Sequence, residues 1–263
     1  MTRYLRLYGA FVKFSVMQAT MFRFDFWLRI IMDILYYAIS IGIMIVLFEH
    51  TPWLGGWNRE QVLVFIAGAL LLDGVTMTLF NNNFWELSGL INEGRLDYYL
   101  VRPVSTLFFV SLRQFAVNSF VNLVLGIAFL IWTINQLPGP VSFGGVALYV
   151  ILVLNGVLLM YLLRIQFTLP LFWWQSTGMG LLSLFHTVGK VTERPDRIFY
   201  GALRWFFVVV FPALTAISLP ARLFLDPWDW NVFFTIVGVS IFHWCLTLFL
   251  WSRALRAYGS ASS

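Results

Sequence analysis

The sequence predicts an all-α polytopic membrane protein, and three observations carry that expectation. Hydrophobic residues make up 60% of the 263 positions and charged residues only 11%, with 27 Phe and 12 Trp; a soluble domain of this length has no interior large enough to hide them. The apolar residues come in long runs, and at roughly 20 residues per crossing they allow about six transmembrane helices and no separate soluble domain. Residues 1–263 thus read as one transmembrane domain. Between two of these runs stands a polar island, Phe84–Val104, in which Glu86, Glu93, Arg95, Asp97 and Arg102 lie close together. Such a stretch is excluded from lipid.

Residues 1–27 show no cleavable signal pattern, because Arg3, Arg6 and Lys13 are interleaved with Tyr4, Leu5, Leu7, Phe11, Val12 and Phe14. Thr2, Arg6, Gly9 and Lys13 form a polar stripe at helical spacing, so the segment is expected to be an amphipathic interfacial helix. With Arg23 and Arg29 it marks the N-terminus as cytoplasmic.

The first span is predicted over Leu28–Phe48 and leads to an outward loop, Glu49–Arg59, where Pro52, Gly55 and Gly56 break the chain and Trp53 and Trp57 suit the headgroup belt. The second, Glu60–Phe80, returns to the cytoplasm through Asn81, Asn82 and Asn83. It delivers the chain to the island, where Trp85, Leu87, Leu90, Ile91 and Leu96 follow a helical period and Arg102 with Pro103 stops it. The expectation is a short amphipathic helix at the membrane surface that receives a soluble partner, although a plain connecting loop would also carry charge.

The third span, Ser105–Ile134, exceeds one bilayer thickness and must tilt, kink or project. An uncharged turn, Leu137–Gly145, precedes the fourth span, Val146–Leu163, which is expected to stop at Arg164. Two topologies then compete. In the first, Ile165–Val188 is span five, Lys190–Arg204 is outside, and Phe206–Leu225, broken by Pro212 and Pro220, dips into the outer leaflet and returns. In the second, Ile165–Val188 stays at the inner surface and Phe206–Leu225 is span five. Excess positive charge and the pair Trp173 and Trp174 favour the second, whereas two prolines eight residues apart favour the first. Either way Asp226–Asn231 is external and the last span, Val232–Trp251, ends at Arg253 and Arg256 in the cytoplasm.

Motifs for chemistry are absent. Leu184 stands where a phosphate-cradling loop ending at Gly189 and Lys190 needs glycine, and Val191 follows where it needs Ser or Thr. His50, His186 and His243 are scattered without metal-ligand spacing, Ser176 and Ser183 have no sequence-evident base, and Cys245 is the lone cysteine. No metal site, disulfide or cofactor is expected on this chain. The net charge of +5 sits at predicted membrane edges rather than in basic tracts, which argues for membrane lipid over nucleic acid as a partner. Asp73 and Arg113 lie at similar sequence distances from the two ends of the island, so they are expected to form an intramembrane ion pair.

The motif formed by Gly94, Leu96, Asp97, Leu100, Arg102, Pro103 and Val104, together with the ending Ala254–Ala261, resembles the permease subunits of the ABC type-2 exporter family, and the similarity runs over essentially the whole chain. That resemblance implies six transmembrane helices in the bacterial inner membrane with both termini cytoplasmic, and an outer re-entrant segment, which selects the first topology. It also implies pairing with a second permease, the same chain or a homologue, and with two ABC ATPase subunits that carry ATP and Mg. Phe84–Val104 becomes the coupling helix, with Trp85, Glu86, Leu90, Glu93, Gly94, Arg95, Asp97, Arg102 and Pro103 as its contact residues. An integral membrane enzyme acting on lipid is the alternative from another class.

Overall fold

The helix around which the others pack is Arg59–Thr76 (α3). Asn58 and Gln61 close a reciprocal cap at its start, with Gln61 N donating to Asn58 Oδ1 at 2.9 Å and Asn58 N to Gln61 Oε1 at 3.0 Å. From there the helix is buried on nearly every side, including Val62, Val64, Phe65, Ala67, Leu70 and Leu71, which explains why its sequence is apolar all round rather than striped. The computed structural model describes residues 2–21, 23–54, 56–174 and 178–258, so Gly55, Ser176 and the last part of the Ala254–Ala261 motif lie outside the described residues.

The described residues are almost wholly helical. Thr2–Met21 (α1) and Arg23–His50 (α2) precede α3, and Asn82–Asn92 (α4) continues it through a π-helical turn, Met77–Asn81. Asp97–Leu100 (α5), Thr106–Leu112 (α6) and Phe120–Ile134 (α7) follow, then Phe143–Thr168 (α8), Gly178–Gly189 (α9), Gly201–Trp205 (α10), Ala213–Ala216 (α11), Ser218–Leu225 (α12) and Trp230–Ala257 (α13). Four of the described helices, Arg23–His50, Arg59–Asn92, Phe143–Phe172 and Trp230–Ala257, are long and apolar enough to cross a membrane.

The remaining two expected crossings are made of pieces. Ser105–Ile134 is two helices, α6 and α7, separated by residues 113–119, so a break takes up the surplus length. Likewise Ile165–Val188 is no single helix. Its first four residues, Ile165–Thr168, belong to α8, and α9 is separate. Arg164 does not end the fourth span; α8 runs a turn further and Arg164 is 4% exposed, its guanidinium over the rings of Phe84 and Phe185 and donating to Asn81 Oδ1 at 3.0 Å.

Close helix contacts rest on glycine. A Cβ on Gly74 of α3 would meet the backbone of Leu123 of α7 at 2.8 Å, and one on Gly126 of α7 would meet Leu70 and Leu71 of α3 at 3.2 Å, the reciprocal small-residue packing that lets two backbones touch where water cannot drive association. By contrast α2 buries only Ile30 and Tyr37 among its large side chains and leaves Trp27, Ile31, Leu35, Ile39, Ile43 and Val46 exposed. That face matches lipid.

Candidate functional site

The island Phe84–Val104 is the end of the α3 rod rather than a detached surface helix. Its first half, Phe84–Asn92, belongs to α4 and turns at Gly94, whose φ of 69° lies in the left-handed region that glycine tolerates. The predicted apolar period is buried, but in protein: Phe84, Leu87, Ile91 and Leu96 pack with Val110 of α6, Ile165 at the end of α8, and Trp251 and Ala254 of α13. Leu90 is likewise 2% exposed, whereas Trp85 is 41% exposed and stacks on His186 of α9 at 5.3 Å. The platform is thereby locked to three helices.

Its polar residues divide in two. Glu93 and Arg95 form an exposed ion pair at 2.7 Å, and Tyr98, Val101, Arg102 and Pro103 are exposed with them. Arg102 donates from Nε to Tyr98 O at 3.1 Å and lies over the rings of Tyr99 and Phe109. Asp97 sits beside Tyr258, whose hydroxyl is pushed up from its ordinary range by burial and then by that carboxylate. Glu86, also exposed, is engaged by the neighbouring break. It is ion-paired with Arg113 and accepts from Gln114 Nε2, and Arg113 also donates to Tyr99 Oη.

This overturns the expected pairing of Asp73 with Arg113. Because α6 ends at Leu112, Arg113 is carried in the non-helical break and swings to Glu86 on α4, while Asp73 accepts from Tyr37 Oη of α2 at 3.0 Å. The rise of a continuous helix, on which the expectation rested, does not apply across a break.

The break itself is held by residues that sequence reasoning passed over. Asn83 of α4 donates from Nδ2 to Gln114 O at 2.8 Å and accepts from Gln114 N at 2.9 Å. Ser15 of α1 accepts from Phe115 N at 3.0 Å, and the carbonyl of Thr78, in the π-helical turn, accepts from Ala116 N at 2.9 Å. Every one of these amides would be an orphan in hydrocarbon. The carbonyl that the break uses thus belongs to the π-helical turn. The signal was present: Arg113, Gln114, Asn118, Ser119 and Asn122 fall within ten positions of one apolar run. The N-terminal helix is tied to the same place, since Tyr4 Oη accepts from Ser105 N at 3.2 Å and Phe11 packs edge-on to Phe109.

At the opposite end of the bundle, Arg197 pairs with Asp226, which also accepts from Trp57 Nε1 at 3.2 Å. Buried Asp196 accepts from Arg204 at 2.8 Å and lies 3.6 Å from Arg222. The chain between these pairs descends to Phe211, which packs on Phe167 and Phe185, turns at Pro212 and climbs back through α11 and α12. Ile198–Leu225 therefore begins and ends at one end of the bundle, beside the loop that carries Trp57. Of the basic residues that argued for a cytoplasmic segment, Arg197 and Arg204 pair with Asp226 and Asp196, whereas Lys190 and Arg194 form no such ion pair among the described residues.

A family model described as ABC-2 family transporter protein matches residues 34–262. No curated protein and no solved structure matches the chain. The match begins within α2 and takes in the platform, both broken segments and the last helix, so this chain is a multi-pass membrane permease belonging to the ABC-2 transporter family.

Proposed function

We propose that the chain is the transmembrane subunit of an ATP-driven exporter of amphiphilic cargo, moved by two separate ABC ATPase subunits that carry ATP and Mg. The observation that carries this reading is the rod from Arg59 to Asn92, helical through one π turn from the cap at Asn58 to an exposed polar tip. Force applied at Glu93, Arg95, Asp97 and Arg102 travels along that rod, while Asn83 and the Glu86–Arg113 pair pass it to the break at Arg113–Ser119. A rigid lever joined to a discontinuous helix is suited to opening a path, because the break can bend without losing ladder hydrogen bonds. In this reading the platform and both termini are cytoplasmic, Ile198–Leu225 is a re-entrant segment of the outer leaflet, and a second permease completes the pathway in the bacterial inner membrane.

Crosslinking tests it. With Cys245 replaced by Ser, Glu93→Cys and Val101→Cys are expected to crosslink to a co-expressed ATPase in a nucleotide-dependent manner. Absence of crosslinks from both positions in every nucleotide state would show that the platform is not the docking site.

A further inference from the structure

Between α2, α3 and the Lys190–Glu193 turn lies a cavity of about 160 Å³. Its walls are apolar, formed by Ile43, Met44, Phe65 and Ile66, and its polar lining includes Asp73 and Glu193. Tyr36 closes one side, with its hydroxyl donating to Glu193 Oε1 at 3.1 Å. Ile43 is 60% exposed on the outer surface of α2, so the cavity faces the side where that helix meets lipid.

The charges around it do not balance. Lining groups contribute two carboxylates, Asp73 and Glu193, against one guanidinium, Arg194. Behind them Asp33 and Arg164 lie within electrostatic reach of Asp73 and act on it in opposite senses. Arg164 is turned to Asn81, Phe84 and Phe185, and Asp33 accepts from Asn122 at 2.7 Å, so neither compensates Asp73 directly. With all of these groups ionised one negative charge is left over, at a depth where a lone carboxylate is costly unless a cation joins it or it takes up a proton. Among the described residues no ion pair is formed by Asp73.

We infer that this cavity is a binding site for the cationic head of a lipophilic cargo, with Asp73 and Glu193 as counter-charges, the Tyr36 ring beside the cation, and the tail lying along the α2–α3 groove toward lipid. The inference rests on the exporter reading and names the substrate class of that reading. A monovalent quaternary ammonium supplies the missing charge, needs no hydrogen-bond partner and is favoured by an aromatic face. The small volume admits the head and leaves the chain outside.

Binding of radiolabelled dodecyltrimethylammonium to the permease in nanodiscs, below its micellar concentration, tests this against dodecyl sulfate and dodecyl maltoside, which share the tail. The cation is expected to bind saturably, at least tenfold more tightly than either competitor, and Asp73→Asn and Glu193→Gln are each expected to weaken it several-fold. A hydrophobic carbodiimide should modify Asp73 in the unsubstituted protein, and the cation, but not the sulfate, should slow that modification. This arm decides the matter if Asp73→Asn does not fold. Equal binding of all three probes, or modification of Asp73 at an unchanged rate under saturating cation, overturns the proposal. Neither measurement needs an ATPase, so their failure leaves the permease reading standing, whereas lost platform crosslinking with intact cation binding overturns only the coupling.

Discussion

Asn83 holds the backbone of Gln114 on both sides, donating to its carbonyl at 2.8 Å and accepting from its amide at 2.9 Å, so one buried side chain on the α3–α4 rod supplies the partners that the broken segment lacks. Replacing Asn83 by Leu leaves two backbone groups unpaired, at about 1–3 kcal/mol each. Asn83→Asp keeps an acceptor for the amide but removes the donor for the carbonyl. Thermal unfolding in detergent is expected to rank wild type above Asn83→Asp and Asn83→Asp above Asn83→Leu, with the last lower by several degrees. Equal midpoints would mean that the break is held by Ser15 and Thr78 alone.

Much of this architecture was legible beforehand, and the failures share a cause. Composition and run length announced membrane helices, and the island announced its platform, because burial in lipid and exclusion from it are properties of single residues. What was not legible was continuity. The triplet Asn81–Asn83 reads as the end of a span by polarity, yet Arg164 and the break satisfy Asn81 and Asn83, and the helix goes on. Arg164 reads as a terminus for the same reason and is instead enclosed by two aromatic rings. Polar residues end a helix only where no partner waits across the bundle, and partners are a property of the fold.

Glu86 and Arg113 give a second prediction, in place of the Asp73–Arg113 pair. The Glu86 side chain is 49% exposed, so solvent screens the pair and its contribution to stability is about 1 kcal/mol at most. Its effect on coupling should be larger, because it joins lever to break. Glu86→Gln and Arg113→Gln are each expected to lower cargo-stimulated ATPase activity of the assembled transporter, and the swap Glu86→Arg with Arg113→Glu to recover part of the loss. Strictly additive damage in the swapped protein would show that the two side chains act apart.

Glycine packing gives a third. A Cβ at Gly156 of α8 would run into the carbonyl of Ala216, whereas one at Gly144, at the start of the same helix, meets nothing within 4 Å. Gly156→Ala is therefore expected to displace α11 and to abolish a monodisperse profile in detergent size exclusion. Gly144→Ala should be unchanged, or slightly more stable through the helix propensity of Ala. Similar behaviour of the two would mean that α11 can move aside freely, contrary to the full burial of its own Leu214 and Ala216 and of Ile217, which follows it.

The sidedness of the bundle is the fourth prediction, and the ion pairs decide where to place the probe. Asp196 is 0% exposed, so a cysteine there would escape any reagent whatever side it faced. Tyr200, three residues after Arg197, is 79% exposed, and Tyr98 on the platform is 69% exposed. Cys245 is itself exposed and must first become Ser. In that background an impermeant thiol reagent applied to intact cells is expected to label Tyr200→Cys at once, and Tyr98→Cys only after lysis. Arg197 sits with Asp226 and Trp57, at the end of the bundle opposite the platform, and it and Arg204 pair with Asp226 and Asp196. The rule that places excess lysine and arginine on the cytoplasmic side counts those residues even where acids pair with them, so it opposes this placement and the labelling sets it against the geometry. Labelling of Tyr200→Cys only after lysis, alongside Tyr98→Cys, would require both ends to face the cytoplasm and would overturn the re-entrant reading of Ile198–Leu225. Labelling of Tyr98→Cys in intact cells would invert the whole bundle and remove the platform from any cytoplasmic ATPase.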